Sequence, residues 1–98
     1  MLTVKFVGEL RSLAQKETMT LQLNNEKIYN IQNIIVEIAS NLDGSFCEEL
    51  LGKNGSDTQL RSRALILKNN IEIGALEGLQ TIVCDGDNLV LIPIAHGG

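Results

Sequence analysis

The stretch NIQNIIVEIASNL, residues 30–42, decides how the chain folds. Its apolar residues Ile31, Ile34, Ile35, Ile38, Ala39 and Leu42 recur at the three- and four-residue intervals of a helix with one buried stripe. Asn30 is placed to cap the first turn, and Gly44, just past Asp43, can supply a left-handed stop. A helix of this kind needs a sheet or another helix to cover its stripe, and the flanking sequence reads as strands.

Before the helix, Leu2, Val4 and Phe6 alternate with Thr3 and Lys5. After a polar connection containing Gly8, Met19, Leu21 and Leu23 alternate with Thr20 and Gln22. These are two strands joined as a hairpin with a long loop, followed by a turn over residues 24–27. After the helix, Ser45-Phe46-Cys47-Glu48 has the spacing of a capping box, which fits one short further helix through Leu51. Residues 52–62 are polar and read as a mobile loop. Ala64 to Lys68 is a strand, Asn69-Asn70 a turn, Ile71 to Ile73 a short return strand, Asp85-Gly86 a turn, and Asn88 to Ile94 the last strand. The expected architecture is α+β: a mixed four- to five-stranded sheet with one long helix across one face, a ubiquitin-like β-grasp, in a single domain spanning residues 1–98.

Two strands are apolar on both faces: Leu65, Ile66 and Leu67, and then Leu89, Val90, Leu91 and Ile92. One helix covers one side of a sheet. Either loops cover the second side, or it presents an apolar patch to a protein partner.

Composition narrows the function. Of 98 residues, 44% are hydrophobic, 20% charged and 3% aromatic, with a net charge of −4. Such an acidic, aromatic-poor chain is ill suited to gripping phosphate backbones or stacking bases, so no direct nucleic-acid binding is expected. No apolar run approaches the ~18 residues of a membrane helix. The first residues alternate rather than forming an apolar signal, which points to the cytoplasm. Cys47 and Cys84 have no C-x-x-C spacing and read as core fillers in a reducing compartment. No metal site is expected, because neither cysteine has a companion cysteine or histidine nearby, and a β-grasp iron–sulfur cluster would need four thiolates. His96, the only histidine, has no nucleophile to serve. There is no Walker loop or G-x-G-x-x-G, and Glu48-Glu49 and Asp85/Asp87 read as a helix face and a turn. The chain is therefore not expected to be an enzyme or to hold a cofactor of its own.

The tail is the exception. The sequence closes on Ile94-Ala95-His96-Gly97-Gly98 directly after a strand. With Gly near 7% of residues, a closing Gly-Gly arises by chance roughly once in two hundred chains. Without Cβ atoms such a tail can thread a narrow groove and bring a terminal carboxylate to a nucleotide held by another protein. Adenylation would give that inert carboxylate a leaving group.

Residues 6–16 (FVGELRSLAQK), 64–70 (ALILKNN) and 85–93 (DGDNLVLIP), with Gly97-Gly98, resemble the β-grasp sulfur carriers. These comprise the molybdopterin synthase small subunit, the thiazole-synthesis carrier and the ubiquitin-related modifiers. The resemblance implies an E1-like activating enzyme that adenylates Gly98 with ATP and magnesium, and a sulfurtransferase that converts it to a thiocarboxylate. Sulfur would then pass to a tRNA base or a cofactor precursor, and some members are joined to lysines of target proteins. It also implies that Gly97 gives clearance, that Ile94, Ala95 and His96 line the threaded groove, and that the apolar sheet face around Ile92 docks the activating enzyme. Synthase small subunits commonly carry two prolines and a small residue before the diglycine. Pro93 stands alone here and His96 replaces the small residue, an ending closer to the ubiquitin-related modifiers, although His96 is also readable as a tolerated tail residue. Three readings follow: a carrier or modifier consumed and regenerated at Gly98, a dedicated subunit docked in a molybdopterin synthase large subunit, and a binding module with an inert tail.

Overall fold

The structure, a computed structural model, describes residues 1–42, 44, 46 and 64–94. The elements are β1 (Leu2–Phe6), α1 (Glu9–Ala14), β2 (Thr18–Leu21), β3 (Tyr29–Asn30), α2 (Ile31–Asn41), β4 (Ala64–Lys68), β5 (Ile71–Glu72), β6 (Ile82–Val83) and β7 (Asn88–Pro93). Five strands form a mixed sheet in the order β2-β1-β7-β4-β5, with β1 and β7 parallel and the other pairs antiparallel. β3 and β6 form a separate two-stranded ribbon. Helix α2 lays Ile31, Ile34, Ile35 and Ile38, each almost fully buried, onto the face that carries Leu2, Val4, Phe6, Ile66, Leu89 and Leu91. Burying each of these side chains contributes about 1.5–3 kcal/mol, so this one layer of contact dominates the fold's stability. The β-grasp expected from the sequence, with one long helix across one sheet face, is what the chain forms.

Asn30 caps α2 as expected. Its side chain accepts from the Asn33 N–H at 2.8 Å, and Asn33 accepts from the Asn30 N–H at 2.9 Å. The far end differs from expectation. Leu42 leaves the helix in an extended conformation and packs on the core, whereas Gly44 has helical backbone and no positive φ. Burial of an apolar side chain ends the helix in place of a glycine stop. Phe46 is fully buried, with its ring edge-on to Phe6 at a centroid distance of 5.4 Å. Residues 45 and 47–51 of the expected second helix, and the loop expected over 52–62, lie outside the described residues.

Three further differences concern short elements. The polar connection after β1 holds α1, which buries Leu10 and Ala14. The second strand ends at Leu21, with Leu23 packing on the core from outside it. Ile73 belongs to a 3₁₀ turn (Ile73–Ala75) rather than to the return strand. The Asn69-Asn70 turn is as expected: φ of 49° and 72° puts both residues in the left-handed region that a two-residue hairpin of this twist needs.

Asp87 fastens the end of the sheet where β7 begins. Its Oδ1 accepts from Asn69 Nδ2 at 3.0 Å and its Oδ2 from the Cys84 N–H at 2.7 Å, while Lys68 Nζ stands 3.7 Å from Oδ2. Lys68 Nζ also donates to the Ile82 carbonyl at 2.8 Å, and the Asn88 N–H donates to Asn69 Oδ1 at 2.9 Å. One carboxylate thus joins the β4–β5 turn to the β6–β7 turn, and Asn69 ties in the first residue of β7. Burial opposes its ionisation, but the bonds from Asn69 and Cys84 and the charge of Lys68 outweigh it, and the carboxyl sits below its ordinary value of 3.8. A folded-state value below the unfolded one means the stabilisation is complete above about pH 4 and is lost as pH falls through the folded value. Asp87→Ala is expected to cost about 1–3 kcal/mol in urea unfolding at neutral pH. Asp87→Asn should flatten the acid limb of stability measured from about pH 6 down to pH 2. An unchanged acid limb would remove Asp87 from this role.

Candidate functional site

Alternation along the central strands turns one set of side chains to the core and the other away from α2. The outward set on β4 is Leu65 and Leu67, and on β7 it is Val90 and Ile92. Register places Leu65 directly opposite Ile92 and Leu67 directly opposite Val90, so the four form one contiguous apolar quartet, each side chain half-buried. Lys5 of β1 lies beside Val90, and Glu72 of β5 lies beside Leu67. The patch is therefore bordered by a cation on one flank and an anion on the other. Among the described residues, no helix covers this face.

β7 carries half of the quartet and also leads to the tail. Pro93 ends the strand and Ile94, 38% exposed, follows it. Of the expected site residues, the structure places Ile92 in the patch and Ile94 just past the end of β7, whereas Ala95, His96, Gly97 and Gly98 lie outside the described residues. The second-face expectation was an open choice between covering loops and a patch, and the described residues present a patch. Val7, just past β1, escaped the sequence reading. Its N–H continues the ladder by donating to the Leu91 carbonyl at 3.1 Å, and the alternation of Thr3 and Lys5 extends the outward face to it.

Cys84 overturns an expectation. It is exposed rather than buried in the core, because the 84–87 turn holds it by its backbone: its N–H goes to Asp87 and its carbonyl accepts the Asp87 N–H at 3.1 Å. Cys47 lies outside the described residues. A cavity near Cys84, lined by Leu23, Lys27, Ile28 and Ile82, sits at the start of β7. It is separated from Ile94 by the strand's length, roughly 20 Å. No group of three or more His, Cys, Asp or Glu could hold a metal among the described residues, and no helix there is long and apolar enough to cross a membrane.

These features define a ubiquitin-like β-grasp, the fold of the sulfur carriers, with an apolar outer sheet face on its central strands. Solved structures of other proteins share that fold. SAMP1 from Haloferax volcanii superposes with a TM-score of 0.80 at 18% identity, covering 99% of this chain and 98% of that one. Urm1 from Trypanosoma brucei gives 0.74 at 26% identity, over 99% and 94% of the two chains. A putative molybdopterin converting factor subunit 1 from Pyrococcus furiosus gives 0.71 at 20% identity, over 96% and 97%. No curated protein matches by sequence. The Urm1 (Ubiquitin related modifier) family matches residues 1–98, and the chain belongs to that family.

The exposure of Cys84 is directly checkable. In the native protein without denaturant, a thiol reagent is expected to label Cys84 at a rate close to that of a free thiol, with the adduct located by peptide mass. Labelling that requires unfolding would mean the side chain is buried after all.

Proposed function

We propose that the chain is a sulfur carrier and protein modifier that acts through the carboxylate of Gly98. An E1-like activating enzyme adenylates that carboxylate with ATP and magnesium and releases pyrophosphate. A sulfurtransferase carries a persulfide whose outer sulfur attacks the activated carbonyl and displaces AMP, and a second thiol reduces the resulting acyl disulfide, forming a disulfide of its own and leaving a thiocarboxylate. The sulfur passes to a tRNA base or a cofactor precursor, and the same activated glycine can be joined to a lysine of a target protein. The chain contributes no active site of its own. It supplies the reacting carboxylate, a narrow tail at Gly97-Gly98 and a docking face, and it works in the cytoplasm.

The observation that carries this reading is that β7 holds Val90 and Ile92 in the apolar quartet and runs on towards residues 94–98. A partner seated on the quartet stands at the foot of the tail, which suits an enzyme that must grip a fold and reach its end. Membership of the Urm1 family along residues 1–98 supports the modifier over a dedicated molybdopterin synthase small subunit.

Incubation with the activating enzyme of the same source, ATP, magnesium and a sulfur donor is expected to raise the intact mass by one oxygen-to-sulfur exchange located at Gly98. An unchanged mass with a competent enzyme would refute the carrier reading and leave a binding module. Val90→Asp is expected to weaken binding of the activating enzyme tenfold or more, as loss of a central apolar contact does, while the fold persists. Val36→Asp, on the exposed side of α2, should leave binding unchanged.

A further inference from the structure

The ladder between β1 and β7 stops at a defined bond. The Thr3 N–H donates to the Asp87 carbonyl at 3.2 Å and the Val7 N–H donates to the Leu91 carbonyl at 3.1 Å, in a register that pairs Thr3 with Asn88 and Phe6 with Leu91. In a parallel ladder, every second residue donates to the residue before its partner and accepts from the residue after it. Thr3 therefore accepts from residue 89 and Lys5 from residue 91, and the next bond in the series would run from the amide of residue 93 to the Val7 carbonyl. Residue 93 is proline, which has no N–H to give.

β1 leaves the sheet at the same level. Gly8 has φ of 59° and ψ of −133°, a conformation open to glycine, and its carbonyl accepts from the Arg11 N–H at 3.0 Å to start α1. A Cβ on Gly8 would stand 3.3 Å from Pro93 Cγ and 3.7 Å from Cδ, so the proline ring fills the space beside this glycine. On its other side Pro93 stays paired with Ala64 of β4. The two strands thus part at one point, where one chain lacks a donor and the other lacks a side chain.

We propose that Pro93, seated on Gly8, is a positioning residue that ends the pairing of β7 with β1 and so fixes how many residues beyond the sheet serve the reaction at Gly98. This rests on the carrier reading given above. Residues 94–98 separate Pro93 from the proposed reacting carboxylate, a reach of at most about 17 Å when extended. A donor at position 93 would let the ladder advance by one bond and draw roughly one or two residues, about 3–7 Å, back against β1. Reaction at an adenylating centre depends steeply on such a displacement.

Pro93→Ala in the full chain tests this. The amide of residue 93 is expected to be protected from hydrogen exchange. The KM for the carrier with its adenylating enzyme should stay unchanged, while the single-turnover rate of adenylate formation falls on the order of tenfold. Inserting one glycine between Ala95 and His96 of that variant should restore the rate. Gly8→Ala, which places a Cβ against the Pro93 ring and strains a backbone open to glycine, should likewise change the rate and not KM. An unprotected amide at residue 93, a rise in KM at unchanged rate, or no rescue by the inserted glycine would overturn the proposal. If the unaltered chain forms no adenylate, it is the carrier reading that falls, and exchange at residue 93 still decides whether the proline ends the ladder.

Discussion

β7 lies between β1 and β4 and is apolar on both faces, yet the fold has one long helix, and a helix covers one face of a sheet. The inward residues Leu89 and Leu91 disappear beneath α2 with Ile31, Ile34, Ile35 and Ile38. The outward residues Val90 and Ile92 pair with Leu67 and Leu65 and are left half-buried. Because the side-chain period of a strand is two, a slip of one residue would exchange these sets, exposing the leucines and burying the patch. The register of β7 is therefore the constraint on which core, patch and tail all depend.

That register is held at both ends of the strand by different chemistry. At the start, Asp87 binds Asn69, the Cys84 amide and Lys68, and the neighbouring Asn69 and Asn88 backbones bond at 2.8 Å. These bonds to a charged acceptor are directional and leave no freedom to slide. At the finish, the absence of a donor at Pro93 and of a side chain at Gly8 closes the pairing with β1. The Asp-Gly-Asp turn, conspicuous in the sequence, thus works as a structural fastener at the opposite end of β7 from Pro93, and the candidate site owes its position to it.

Much of this was legible in the residues. The three- and four-residue spacing from Ile31 to Leu42 defines α2, and the doubly apolar runs at 65–67 and 89–92 foretell a face that α2 cannot cover. What escaped has physical causes. Helix α1 is six residues long with a glycine at its start, although Leu10, Leu13 and Ala14 carry the three- and four-residue spacing that could have revealed it. Cys84 looks like a core residue among Ile82 and Val83, but the tight 84–87 turn, closed by bonds in both directions between Cys84 and Asp87, leaves it exposed. Likewise Gly44 has the composition of a helix stop, but the burial of Leu42 ends the helix first. The diglycine is legible as a motif alone, since residues 95–98 lie outside the described part of the fold.

The central claim is that the face of β4 and β7 turned away from α2 is the surface by which the chain is recognised. Methyl-labelled NMR titrated with the activating enzyme tests it most directly. The methyl signals of Leu65, Leu67, Val90 and Ile92 are expected to shift or broaden together, while those of the core residues Ile31 and Ile38 and of the distal Ile28 and Ile82 stay in place. Perturbation centred on Ile28 and Ile82, or on Val36 of α2, with the quartet unmoved, would contradict it.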